Sequence, residues 1–166
     1  MWKTEWTPDT GYDVEKLRQI GLATCGAKTI EVHRLLQRYF QGRKQKLEAG
    51  NGIDWPTAEA LAVGSLVVEG HDVRLSGQDT GRGTFSHRHW KLWDQTPAEF
   101  DGETCVKYEM PLNNLQSKQG RVVSVNSLLS EQGVLGFGKK DFLIKVVVLI
   151  CFFFQSTVTA PKNQTH

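Results

Sequence analysis

The sequence predicts an α/β fold, and three observations carry that prediction. A helix with clear start and stop signals, between Asp54 and Gly70, runs directly into a short alternating strand. That strand opens into a polar, glycine-rich loop, SGQDTGRGTFSHRH. A second strand-like run follows at residues 121–125. Helix, turn, strand and loop in this order belong to α/β folds, in which ligands collect in the crevice at the carboxyl ends of parallel strands.

Residues 1–12 are polar, with Pro8 and Gly11, and read as a loop or linker. Asp13 can cap a short helix reaching Ile20, because its carboxylate accepts the unpaired amides of a first turn. A longer helix is expected over residues 29–49. There Val32, Leu35, Leu36, Tyr39, Phe40 and Leu47 recur at helical spacing and Gly50 is placed to stop it. Arg34, Arg38, Arg43, Lys44 and Lys46 fall mainly on the other side, as an anion-binding patch or, more simply, a solvated face.

Asp54-Trp55-Pro56 is an entry signal for the next helix, with an acidic cap and a proline where no amide bond is lost. Ala58, Leu61, Ala62, Ser65 and Leu66 offer it a narrow face for close packing on a sheet. Val73 and Leu75 then alternate with Asp72, Arg74 and Ser76 as a strand ending at Gly77. Residues 96–120 hold Pro97, Gly102, Pro111 and Asn113-Asn114 and read as a long surface excursion. Ser130 can cap a helix beginning at Glu131. The run FLIKVVVLICFFF, residues 142–154, is apolar apart from Lys145. Its 13 residues fall short of a bilayer-spanning helix, so it reads as a buried strand or an aggregation-prone tail rather than a membrane tether.

Composition narrows the function classes. Twenty basic against 18 acidic residues leave a net charge of +2, which does not suit a nucleic-acid binder. Cys25, Cys105 and Cys151 are odd in number, widely spaced and without a C-x-x-C pair, which argues against a disulfide framework or zinc knuckle and favours a reducing compartment. MWKTEWTPDTGYD has no apolar core of the secretory kind.

The loop holds most of the candidate chemistry. His87 and His89 form an H-x-H pair, which on a strand would turn both rings to one face as a metal site requires. Asp79 and His71 could add ligands, but not at a recognisable spacing. SGQDTGRG lacks the Lys-Ser/Thr of a P-loop and is not G-x-G-x-x-G, though its glycines allow close backbone approach to a ligand. Ser86 next to His87 lacks the G-x-S-x-G context of a nucleophile. On its own the loop reads as a ligand loop of unspecified ligand. Glu131 reads equally simply as a helix-capping or dipole-complementing acid.

Three segments taken together go further. GIDWPTAEALAVGSLVVEGHDVRLSGQDTGRGTFSHRH, PLNNL and NSLLSEQGVLGFG, in that order, resemble the E1 component of the 2-oxoglutarate dehydrogenase family over about residues 5–138. The wording of TAEALA and of the loop looks nearest to the 2-oxoadipate branch, with the 2-oxoglutarate branch remaining open. The resemblance implies the N-terminal part of a transketolase-like pyrimidine-binding domain, incomplete and preceded by a helical linker. On this basis residues 1–50 are the linker, 51–138 the partial domain, and 139–166 a tail without counterpart in the family. It further implies use of thiamine diphosphate to decarboxylate 2-oxoglutarate or 2-oxoadipate, followed by acyl transfer to a lipoyl-bearing E2. An E1 homodimer and a mitochondrial matrix location (cytoplasmic in a bacterium) go with it.

By the same resemblance, Glu131 matches the glutamate that hydrogen-bonds the aminopyrimidine ring nitrogen and makes the cofactor's exocyclic nitrogen a base. Gln78, Asp79 and Arg82 match the loop bordering thiazolium and substrate, and His87 and His89 match an H-R-H element, as pocket-lining or structural groups. Mg²⁺ belongs to the diphosphate-binding domain in such enzymes, whose G-D-G…N motif does not occur here, so no metal ligand is expected. The abrupt end of the resemblance at Gly138 leads us to expect a truncated or mis-joined product, inactive alone. The alternative is a non-catalytic chain that pairs with full-length E1 subunits.

Overall fold

The computed structural model describes residues 11–96, 98–100, 103–126 and 146–149. Three helices come first: α1 (Val14–Ala23), α2 (Arg34–Ala49) and α3 (Trp55–Val68). Among the described residues seven strands follow: β1 (Asp72–Gly77), β2 (Leu92–Trp93), β3 (Ala98–Phe100), β4 (Glu103–Cys105), β5 (Tyr108–Glu109), β6 (Val122–Asn126) and β7 (Val146–Leu149). The principal sheet has the order β6-β1-β7, parallel throughout, with Val73 opposite Val122 and Val147. The expected α/β architecture is therefore present. The strand expected within residues 142–154 is seen as β7, while the helix expected from Glu131 lies outside the described residues.

The helix starts follow their caps. Asp13 accepts the Lys16 amide at 2.8 Å, and Asp54 accepts both the amide and the hydroxyl of Thr57. Helix α1 runs to Ala23, three residues beyond the expected end. Helix α2 begins at Arg34 rather than at residue 29, capped by His33 Nδ1. The reason is a competing acceptor. Glu109, buried at 6% exposure, takes the amides of Lys28 and Thr29 and the Thr29 hydroxyl, holding this stretch out of the helix.

Two face assignments are corrected. Arg43, expected on the solvated side of α2, is only 3% exposed, beneath the rings of Tyr39 and Phe40, while Leu35 is exposed. On α3 the buried residues are Thr57, Ala60, Val63, Gly64 and Val67, whereas Ala58 and Ala62 are exposed. Because WPTAEALAVGSLVV is small or apolar almost all round, its pattern does not choose a face. The choice is made by Gly64, where an added β-carbon would lie 2.3 Å from Ile20 Cγ2, so that α1 can sit directly on α3.

The expected surface excursion at residues 96–120 is also corrected. Met110, Pro111 and Leu112 are buried, and Met110 and Leu112 join Val63, Val67, Val73, Leu75, Trp90 and Val122 in the main core. Asn113 caps the strand edge, exchanging two hydrogen bonds with the backbone of Val122. Prolines and asparagines hid a segment that the core needs. Among the described residues no helix is long and apolar enough to cross a membrane.

Candidate functional site

The site forms where β1 and β6 end. After Gly77 the chain makes a loop that closes on itself, through the Gly81 and Arg82 carbonyls. These accept the amides of Arg88, His89, Trp90 and Lys91 at 2.8–3.3 Å. Four residues of the loop take left-handed backbone conformations, Asp79 (φ 50°), Gly83 (φ 81°), Ser86 (φ 53°) and His89 (φ 48°). Such conformations cost energy outside glycine and persist only where surroundings impose them.

Two anchors impose them. Arg88 is 3% exposed; its Nε and Nη2 donate to the two oxygens of Glu59 on α3 at 2.8 and 2.9 Å, and Nη1 donates to the Thr80 carbonyl at 3.0 Å. This is a bidentate guanidinium–carboxylate pair, the strongest geometry available to such a contact. Thr80, equally buried, ties the loop to β6: its amide donates to Asn126 Oδ1 at 2.9 Å and its hydroxyl meets Ser124 Oγ at 2.8 Å.

A cleft of about 430 Å³ results, lined by Asp79, Gly81, Arg82, Lys91, Trp93, Ser124, Val125 and Asn126. Arg82 Nη2 bonds Asp79 Oδ2 at 3.1 Å, and Lys91 Nζ lies 4.2 Å from the Tyr108 ring centre and 5.3 Å from that of Trp93. The lining thus combines an aromatic ring, neutral hydrogen-bonding groups and two cations, one of them paired with the Asp79 carboxylate. Such a site suits a heteroaromatic ring carrying polar substituents and a neighbouring negative group.

The histidines stand apart from that lining. The His87 ring lies over Gly83, where an added β-carbon would fall 2.5–3.0 Å from three ring atoms. Its Nδ1 is buried and has no hydrogen-bond partner among the described residues. His89 meets the Ser86 carbonyl through Nε2 at 2.7 Å and stacks edge-on with Tyr39. Burial, and next the Arg88 charge, holds the His87 pKa below its ordinary value of 6.5. For His89 burial is again the largest cause; the Ser86 carbonyl opposes it and the charges of Arg43, Arg82 and His87 add to it. Both shifts favour the neutral imidazole. Among the described residues no three His, Cys, Asp or Glu side chains gather as a metal site.

The family model for the transketolase pyrimidine-binding domain matches residues 51–139, which include α3, β1, the loop and β6. The chain belongs to this family. The chain is also 49% identical, over 129 residues, to the 2-oxoglutarate dehydrogenase E1 components of Brucella ovis and Brucella canis. That of Brucella melitensis biotype 2 is 48% identical over the same length. These alignments cover 77% of this chain and 12% of each relative, so the chain spans about an eighth of the length of the curated relatives it matches.

Of the residues singled out from the sequence, Asp79 and Arg82 line the cleft of this pyrimidine-binding domain. Gln78 is exposed and does not line it, His87 and His89 pack beside α2, and Glu131 lies outside the described residues. Sequence reasoning missed Thr80, Lys91, Trp93, Ser124 and Asn126. The alternation of Ser124 with Asn126 at a strand end was the available signal. It also passed over Arg88, the middle residue of H-R-H, whose role depends on a carboxylate 29 positions away.

Two results are expected here. Gly83→Ala should cost about 1–2 kcal/mol from the left-handed backbone alone, and it should displace the His87 ring, read by urea unfolding and by the ring proton shifts. Lowering pH should also destabilise the fold. Histidines held below 6.5 when folded take up protons more readily unfolded, so stability falls as pH drops below about 6.5. Glu109 extends the loss at lower pH. Burial raises its pKa, but the bonds from Thr29, Lys28 and Asn114 together outweigh this and hold it below 4.5. Its stabilising contribution is present above 4.5 and disappears as pH falls through the folded value. Urea midpoints should decrease from pH 7.5 to 5.5 and again towards pH 4; a flat profile would refute the assignment.

Proposed function

We propose that this chain supplies the pyrimidine-binding wall of a thiamine-diphosphate-dependent 2-oxo acid dehydrogenase E1. The observation that carries the reading is the cleft at the carboxyl ends of the parallel strands β1 and β6, inside the region matched to the pyrimidine-binding family. Its lining fits the group: Trp93 offers a stacking surface, Ser124 and Asn126 can hold ring substituents, and Arg82 and Lys91 can face negative charge. When bound, the cofactor would supply the electron sink for decarboxylation. The chain's own part is to orient the pyrimidine, exclude water along the Trp93 ring and, through Glu131, hold a proton at the ring nitrogen. Asp79 and Arg82 would border the reacting end, with Gln78 at the loop entrance. The acyl group would pass to a lipoyl-bearing E2, and the active unit would be an E1 dimer, in the mitochondrial matrix in a eukaryote. The substrate would be 2-oxoglutarate or 2-oxoadipate.

The diphosphate and its Mg²⁺ would be held by a diphosphate-binding domain, so we infer that the isolated chain turns over neither substrate. Dye-reduction assays with both acids check this, and measurable turnover would refute it. Binding is tested separately. Thiamine, which carries the pyrimidine without the diphosphate, should perturb amide signals of residues 78–82, 91–93 and 124–126. Perturbation confined to other residues, or none at saturating thiamine, would overturn the proposed site. A second reading is a non-catalytic chain that pairs with full-length E1 subunits. Co-purification with full-length E1, in the absence of cofactor binding by the chain alone, would support it.

A further inference from the structure

Helix α2 lies before the family-matched region, yet it reaches the loop through two side chains. Arg43 Nη2 donates to the Tyr39 hydroxyl oxygen at 2.6 Å, and that hydroxyl donates to the His87 carbonyl at 3.0 Å. The Tyr39 ring also stands edge-on to His89, with centroids 5.5 Å apart. Guanidinium, phenol and carbonyl form a chain in which each bond polarises the next. It ends on the turn that carries both histidines, one of them in the left-handed conformation.

Arg43 is a costly residue for this purpose alone. It is 3% exposed, its Nε has no hydrogen-bond partner, and no carboxylate of the described residues forms an ion pair with it. The Asp54 carboxylate feels its charge without a direct ion pair, and a buried cation so loosely compensated adds little stability. Its charge is felt by Asp54 and Cys25 and also, on the loop side, by His89. The neutral His89 ring, with Nε2–H on the Ser86 carbonyl, keeps its Nδ1 lone pair as an acceptor.

We propose that Tyr39 and Arg43 are positioning residues for His89, a relay from the helix before the loop that fixes the turn and holds the imidazole in a single tautomer. The inference deepens the reading above, since it takes this loop as the border of the ligand site. Because Arg82 accepts the amides of Arg88 and His89, the same relay also steadies the lining of the cleft. The groups facing His89 are Tyr39 and Arg43 from α2, together with Ser86, His87 and Arg82 of the loop. Arg82 is itself paired with Asp79.

The test uses the full 166-residue chain without cofactor, so it stands or falls separately from thiamine binding. Histidine ring nitrogens are followed by long-range ¹H–¹⁵N correlation across pH, in the parent and in Tyr39→Phe, Arg43→Met and Arg43→Lys. In the parent His89 should be the Nε2–H tautomer with a titration midpoint below 6.5. Tyr39→Phe should mix the tautomers. Arg43→Met should move the midpoint upward while leaving urea stability equal or higher, a combination that a merely structural arginine would not produce. Arg43→Lys should restore the parent midpoint. An unchanged His89 tautomer and midpoint in folded Tyr39→Phe, the near-isosteric variant, would overturn the proposal whatever the fate of Arg43→Met.

Discussion

Glu59→Leu is expected to cost about 3 kcal/mol of folding stability, because it removes the carboxylate that holds the buried Arg88 guanidinium in a bidentate pair. The reciprocal change, Arg88→Met, should cost less. The two side chains differ in burial, 4% exposed for Arg88 against 22% for Glu59, so water compensates the glutamate for loss of this pair more readily than the arginine. Arg88→Met also frees the Thr80 carbonyl, a loss of about 1–3 kcal/mol for a buried acceptor left unpaired. Urea unfolding of both single variants and the double variant gives the coupling energy directly. The double variant should be more stable than Glu59→Leu alone. If both single changes cost under about 1 kcal/mol, within the range of surface pairs, the anchor described here is wrong. Beyond stability, loss of this pair should release the loop, and the signals of residues 78–91 should broaden or shift together.

Gly120→Ala is expected to be as damaging for a different reason. A β-carbon at Gly120 would lie 2.1 Å from the His71 carbonyl oxygen and 2.4 Å from its carbon, which are backbone atoms with no rotamer to adopt. The contact sits where the segment entering β6 crosses the end of α3. There the Gly120 amide donates to the Val67 carbonyl at 2.8 Å, and Val73 donates to the Arg121 carbonyl at 2.8 Å. Relief therefore requires β1 and β6 to separate at their start. A cost of about 3 kcal/mol or more is expected, at or above the usual range for overpacking. Urea unfolding checks the stability, and amide exchange at Val73 and Val122 should accelerate. A variant within about 1 kcal/mol of the parent would show that the close crossing is not present in solution.

Neither effect was legible locally. Gly120 sits in a polar stretch that looks like an ordinary turn, and its constraint comes from a backbone 49 positions earlier. Arg88 was read only as the spacer between two histidines. The histidines attracted interest because their chemistry is versatile, but the buried cation between them does more to shape the loop. Glu109 shows the same bias: one carboxylate, distant in sequence, decides that residues 28 and 29 stay outside α2.

The sequence by itself determined the caps at Asp13 and Asp54, the alternation of β1, the stop at Gly50 and the succession of helix, strand and loop. Each of these depends on neighbours within a turn of helix or a few residues of strand, so short-range chemistry suffices. The wording of three segments read together, the run through the loop, PLNNL and NSLLSEQGVLGFG, also pointed to the family. Tertiary structure alone decided which face of α3 is buried, that Arg43 turns inward, and that Met110 and Leu112 belong to the core. It also decided that Thr80, Ser124 and Asn126 meet at one strand end. These outcomes depend on close approach and on pairing of buried charge, both of which are set by residues remote along the chain and adjacent only once it is folded.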